Sequence, residues 1–236
     1  MFSKIEKNPF LTLAIIAGGF ILFGYSTSLP KITDFMIFCI FVLGFDLLYG
    51  HMGQLSFGHM LYLGAGSYGT AIFAAFVTPD PFLGIAVGIF TAALLAFILG
   101  LIVVRTSGAC FALLNLALNE VGAFMVLVPF PQWTGGEDGL SLFFESYGFL
   151  NFANPTFLFF FVLGSLLAVS YLIMRFVRSP YGMFLKATKE NEVRVRFLGY
   201  NTYIYKLITF VLSGSIAGFA GALNTINLSY TNPSLI

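Results

Sequence analysis

The chain has 236 residues, of which 58% are hydrophobic and only 9% charged. A soluble domain carries about 25% charged residues, so this composition excludes an ordinary soluble enzyme or binding module. The net charge of +1 says little, and the placement of the charges says more.

Apolar runs of roughly 17 to 23 residues recur along the whole length, each able to cross a hydrocarbon layer of ~30 Å as a helix. Lys4 and Lys7 precede the first, about Pro9 to Tyr25. Ser26, Thr27 and Ser28 would suit a signal peptide, but the run is long and no A-x-A-like site follows, which favours an uncleaved span. A second span is expected over about Ile32 to Tyr49 and a third, after a Gly-rich break, over Met60 to Val77. Pro79, Asp80 and Pro81 turn the chain into a fourth, Phe82 to Val104. Arg105 to Gly108 lead into a fifth, Ala109 to Phe130, and a sixth follows the loop 131–154 over Pro155 to Met174. A seventh covers Ile204 to about Leu223. The expectation is an all-α polytopic bundle of about seven spans, forming a single transmembrane domain over residues 1–236.

Arg175 to Lys206 is the one long polar island. It holds Arg175, Arg178, Lys186, Lys189, Arg194, Arg196 and Lys206, seven of the eleven Lys and Arg residues. Basic residues flanking spans are retained on the cytoplasmic side. An N-terminus inside places Lys4, Lys7, Arg105 and the island there. It places Asp80, Glu137, Asp138 and Glu145 outside, with only Lys31 on the wrong side. Within the island, Pro180 to Leu198 reads as one amphipathic helix, suited to a lipid surface or to a cytoplasmic partner.

Four stretches could carry function. Leu47 to Gly69 holds six glycines, and loosened backbone in a bilayer is tolerated only inside protein or beside a wet cavity. Gln54, Ser56, Phe57 and His59 are therefore candidates to line a substrate path, while close helix packing explains the glycines, and His59 alone reads more as a packed or interfacial residue. Asn115 and Asn119 share a helical face, and Glu120 is an acid within a span, which suggests either a path or an assembly contact. Gly135, Gly136, Asp138 and Gly139 spell a tight outer turn, or a rim for a partner or substrate. Gly214 with Gly218, and Ala217 with Gly221, are small-xxx-small pairs for helix packing.

Catalytic templates are not seen: no H-E-x-x-H, G-x-S-x-G, P-loop or dinucleotide fingerprint. Cys39 and Cys110 suggest no disulfide framework, and His51 and His59 lack acidic or sulfur neighbours at ligand spacing, so no metal is expected. No nucleic-acid partner is expected either. The chain is read as a non-enzyme with no cofactor of its own, drawing energy from an ion gradient or from another subunit.

In this order, GHMGQLSFGHMLYLGAGSYGTA, RTSGACFALLNLALNE, TGGEDGL and SPYGMFLKATKENEVRVRFLGYNTYIYKLITFVLSGSIAGFAGAL resemble the permease subunits of high-affinity branched-chain amino acid ABC transporters. Urea and short-amide permeases belong to the same family. The resemblance covers about Leu47 to Leu223. It implies a prokaryotic cytoplasmic-membrane importer, with ATP used by separate ATPase subunits, a second homologous permease and an extracytoplasmic binding protein. It also implies a coupling loop over about 178–203 that docks on the ATPase through Pro180, Tyr181, Gly182, Lys186, Glu190, Glu192 and Gly199. Family members often carry Ala-Ala where this chain has Arg194 and Val195. They also continue past this point with further helices, so the chain is expected to be C-terminally truncated. An ion-coupled transporter or channel is the rival class, and it would rely on Glu120 and Asp46.

Overall fold

The computed structural model describes residues 9–26, 28–144 and 151–233. Lys4, Lys7, Thr27 and Glu145 lie outside the described residues. The chain folds as helices α1 (Pro9–Ser26), α2 (Leu29–Asp46), α3 (Met60–Phe76), α4 (Pro81–Val103), α5 (Gly108–Leu127), α6 (Pro155–Val177), α7 (Pro180–Phe197) and α8 (Thr202–Leu228). α2 runs on into a π-helical turn, Leu47–Met52. Proline in the first turn starts α2, α4, α6 and α7, where its missing N–H has no helical acceptor to lose. Side chains cap the free N–H groups of several starts: Asp80 for α4, Asn154 for α6, Ser179 for α7 and Asn201 for α8.

Among the described residues, five stretches are long and apolar enough to cross a membrane: Leu29–Met52, Pro81–Val103, Gly108–Leu127, Pro155–Val177 and Thr202–Leu228. Leu11–Gly24 and Met60–Phe76 are shorter apolar helices. This is a polytopic helical membrane bundle, as the composition requires. One small departure from all-α is a two-residue antiparallel ladder, β1 (Leu140–Ser141) with β2 (Tyr230–Thr231).

α8 is the axis, packed by α2, α3 and α4. Lipid is as apolar as leucine, so association between spans rests on close packing and on hydrogen bonds rather than on burial from water. Both are present here. A β-carbon on Gly66 would run into the Gly218 backbone, one on Gly218 into Ala92, and one on Gly221 into the Leu63 carbonyl. Gly214 abuts Ala96 and Tyr62. Across these seams Ser67 Oγ donates to the Gly221 carbonyl (3.0 Å), Thr91 Oγ1 to Ala65 (3.1 Å) and Thr70 Oγ1 to Gly84 (3.0 Å).

The bundle has two chemically distinct ends. At one, Lys189 meets Gly50 and Arg105 lies over the Tyr203 ring, so the ends of α2 and α4, the start of α8 and all of α7 gather there. At the other, Asn227 donates to Asp34, Phe76 meets Trp133 with ring centroids 5.1 Å apart, and Tyr230 Oη donates to the Asp138 carbonyl (2.8 Å). Basic residues from Arg105 to Lys206 collect at the first end; Asp80, Glu137 and Asp138 collect at the second, with Lys31.

Replacing Gly218 by Leu should lower stability in detergent by about 1–3 kcal/mol, because the Ala92 side chain and the Gly88 carbonyl block it. Gly164→Ala, at a helical glycine with open space around it, should leave stability unchanged or slightly raised. Denaturant unfolding of the two variants checks this; equal stability would contradict the packing.

Candidate functional site

The Gly-rich stretch breaks the second span. After the π-turn the backbone leaves helix at Gly53, whose φ of +74° suits glycine, and regains it only at Met60. The Gln54 N–H closes the turn on the Leu48 carbonyl at 3.0 Å. The strand of chain between them dips into the bundle. Gly58 lies on the Asn115 backbone of α5, with no room for a β-carbon. His59 Nε2 lies 3.3 Å from Ser213 Oγ, about 16 Å along α8 from its first residue. Irregular backbone at that depth is stable only because α5 and α8 cover it.

Around this break, polar side chains are buried in apolar company. Gln54, Ser56 and His59 are all buried, and His59 is boxed by the rings of Phe41, Phe45 and Tyr62. Among the described residues no partner reaches Gln54 Oε1, Ser56 Oγ or Tyr62 Oη. Each such orphan costs about 1–3 kcal/mol, so the break carries a local cost in stability. Phe57, from the same stretch, points outward and is 56% exposed.

α5 brings Asn115 and Asn119 to its buried face, where Asn115 Nδ2 donates to the Phe111 carbonyl (2.8 Å). Glu120 stands on the opposite, exposed face with Leu116 and Phe124. The structure thus gathers Gln54, Ser56, Asn115 and Asn119 near the break and separates Glu120 and Phe57 from them. Adjacent positions on a helix point about 100° apart, which is why the Asn-Glu dipeptide splits.

The basic island corrects the expectation of one amphipathic helix over Pro180 to Leu198. α7 breaks at Asn191 (φ −156°, ψ 92°), whose Oδ1 accepts from Arg194 N and caps a second short helix. The first half is anchored by Tyr181 Oη donating to the Tyr205 carbonyl (2.5 Å) and by Lys189 Nζ donating to the Gly50 carbonyl (2.8 Å), over Gly53. Gly182 fits against the Val177 backbone, where a side chain would collide. The second half is held by Glu192. Its Oε2 meets Lys206 Nζ at 2.5 Å, and its Oε1 meets Arg196 Nη2 at 2.6 Å and Thr202 Oγ1 at 3.0 Å. Lys206 is 4% exposed, so this carboxylate is the charge partner of a buried ammonium on α8. Burial pushes the Glu192 carboxyl up, but Lys206 by hydrogen bond and charge, then Arg196 and Thr202, outweigh it and hold it below its ordinary value. Lys186, Glu190, Arg194 and Gly199 face solvent, as do the apolar Met183, Val193, Phe197 and Leu198.

Three glycines of the outer loop, Gly135, Gly136 and Gly139, have positive φ, and the Gly139 backbone packs against Thr231. Among the described residues no three His, Cys, Asp or Glu gather as a metal site. His51 does have an acidic neighbour, against expectation. The π-turn brings its Nδ1 to 3.4 Å from Asp46 Oδ2, a closeness that ordinary helical spacing does not give.

The family model described as "Branched-chain amino acid transport system / permease component" matches residues 28–236. The chain belongs to this family. It is 26% identical, over 98% of its length, to the high-affinity branched-chain amino acid transport system permease protein LivM of Escherichia coli K12. It is 27% identical, also over 98%, to the LivM protein of Salmonella typhimurium. The chain spans 60% of the length of each relative. No solved structure matches it.

The sequence reading did not single out Asp34, Tyr62 or Asn191, and it counted Lys206 only as one of the island's bases. Only Asn191 left a local sign, as a capping residue ahead of a short apolar-basic segment. The Glu192–Lys206 pair is 14 residues apart and depends on the turn between α7 and α8.

Glu192→Gln should cost about 1–3 kcal/mol at neutral pH by leaving Lys206 without its carboxylate. The folded carboxyl titrates below its unfolded value of about 4.3, so the wild-type advantage is full above that pH and fades as pH falls through the folded value. Thermal unfolding of both proteins between pH 3 and 7 checks this. An advantage that persists undiminished at pH 3 would assign it to something other than the charge.

Proposed function

We propose that the chain is the permease subunit, or the matching portion of one, of an ATP-driven ABC importer that moves branched-chain or related amino acids across a prokaryotic cytoplasmic membrane. Family membership over residues 28–236 carries this reading. In it the chain crosses the bilayer seven times as one transmembrane domain, with the basic end and the N-terminus cytoplasmic. ATP is used by separate ATPase subunits, and a second homologous permease and an extracytoplasmic binding protein complete the complex.

α7 is the coupling element of this proposal. It presents Met183 on its first half, and Val193, Phe197 and Leu198 on or just after its second, to solvent at the basic end, an exposed apolar surface interspersed with Lys186, Glu190 and Arg194. Such a face suits a protein groove. Its two halves are tied to the membrane helices at different points, the first to the broken segment through Lys189 and the second to α8 through Glu192. A push on α7 would reach both the break and the axis. The substrate path then runs past Gln54, Ser56, Asn115 and Asn119, whose amide and hydroxyl groups fit the carboxylate and ammonium of an amino acid.

The test is a gentle pull-down of the tagged chain from its native membrane, with partners identified by mass spectrometry. ATPase subunits should be recovered with the wild type and lost when residues 180–199 are replaced by a Gly/Ser linker; retention would contradict the coupling role. For the path, Asn115→Ala and Gln54→Ala should each reduce uptake of leucine at least tenfold if they contact substrate, a loss of about 1.4 kcal/mol. Glu120→Ala should reduce it far less, given its outward position.

A further inference from the structure

A crevice at the basic end carries a feature that the transport reading does not use. Its mouth, about 390 Å³, is lined by Tyr171, Met174, Arg175, Arg178 and Ser179 at the end of α6. A second cavity of about 300 Å³ shares Met174 and Arg178 with it. That cavity rises between three spans, walled by Thr12 and Ile16 of α1, Leu43 of α2, and Ile173 and Val177 of α6. Asp46 and His51 also line it, the carboxylate turned to within 3.4 Å of the imidazole. Arg175 Nη1 lies 3.5 Å from Tyr171 Oη.

We infer that this crevice binds an anionic phospholipid, its phosphate on Arg175 and Arg178 and one acyl chain between α1, α2 and α6. Arg175 in the last turn of α6 and Arg178 at its C-cap already suit the negative end of the helix dipole, and alone they would mean no more than that. The wall that the two cavities share at Met174 and Arg178 adds the rest. A guanidinium pair recognises phosphate oxygens bidentately, and basic pockets between transmembrane helices at this level hold lipid headgroups. A soluble partner could reach the arginines, but Ile16, Leu43 and Ile173 belong to apolar helices of the bundle, and the part of the cavity they wall suits a lipid tail. The occupant therefore needs a phosphate and a tail in one molecule. α6 passes directly into α7 through Ser179, so the lipid sits against the root of the cytoplasmic helix. The lipid contact rests on the chain being a membrane bundle; only its assignment to the cytoplasmic leaflet rests on the proposed orientation.

The test is native mass spectrometry of the full chain, released from micelles containing equal phosphatidylglycerol and phosphatidylcholine. The wild type should retain phosphatidylglycerol with roughly tenfold or greater preference, the size expected of two basic groups at an anionic headgroup. Arg175→Gln with Arg178→Gln should bring the preference close to one, and Arg→Lys at both positions should keep most of it. A wild type without preference, or a Gln variant that keeps it, would overturn the assignment. A second arm needs no variant: phosphatidylglycerol with a photoreactive acyl chain should crosslink to Ile16, Leu43, Ile173 or Met174. Labelling confined to other helices would overturn it equally. Neither arm depends on ATPase subunits or uptake, so the transport reading stands or falls separately.

Discussion

The close approach of α3, α4 and α8 is the constraint on which the rest of the molecule depends. Gly66 and Gly218 meet backbone to backbone, with Ala92 and Ala96 filling the third side. Because lipid provides no hydrophobic push between spans, only such contact, with Ser67, Thr70 and Thr91 bonding to carbonyls, can fix α8 as a rigid axis. Once α8 is fixed, it can cover irregular chain. The Gly53–Gly58 segment survives at depth because Ser213 and the α5 backbone stand against it.

α7 is fastened to that same axis. Glu192 satisfies the ammonium of buried Lys206, and Tyr181 reaches the Tyr205 carbonyl one residue earlier on α8. The break at Asn191 lets the two halves of α7 take different directions while each keeps its own anchor. One half touches the π-turn through Lys189 and the other the start of α8.

Much of this was legible in the sequence. Composition and run lengths require a helical membrane protein, and each of the seven apolar runs is matched by an apolar helix within a few residues at its start. The six glycines of residues 47–69 announce a disturbed span, and the structure turns them into a π-turn, a left-handed Gly53 and a contact at Gly58. The basic island is plain from charge alone. What stayed hidden is long-range pairing. Nothing local says that Lys206 is buried or that Glu192 meets it, that Asp34 accepts from Asn227, or that Asp46 turns toward His51. Glu120 shows the reverse failure, since a count of intramembrane charge draws attention to it while helix phase points it away from the break.

The most direct measurement is hydrogen exchange along α8 in the wild type and in Glu192→Gln. If the Glu192 clasp fastens α7 to the axis, protection at Thr202 to Thr209 falls in the variant, while the Gly214 to Leu223 core stays protected. Unchanged exchange over the first turns of α8 would mean that α7 is joined to the bundle by other contacts, and the clasp would lose its role.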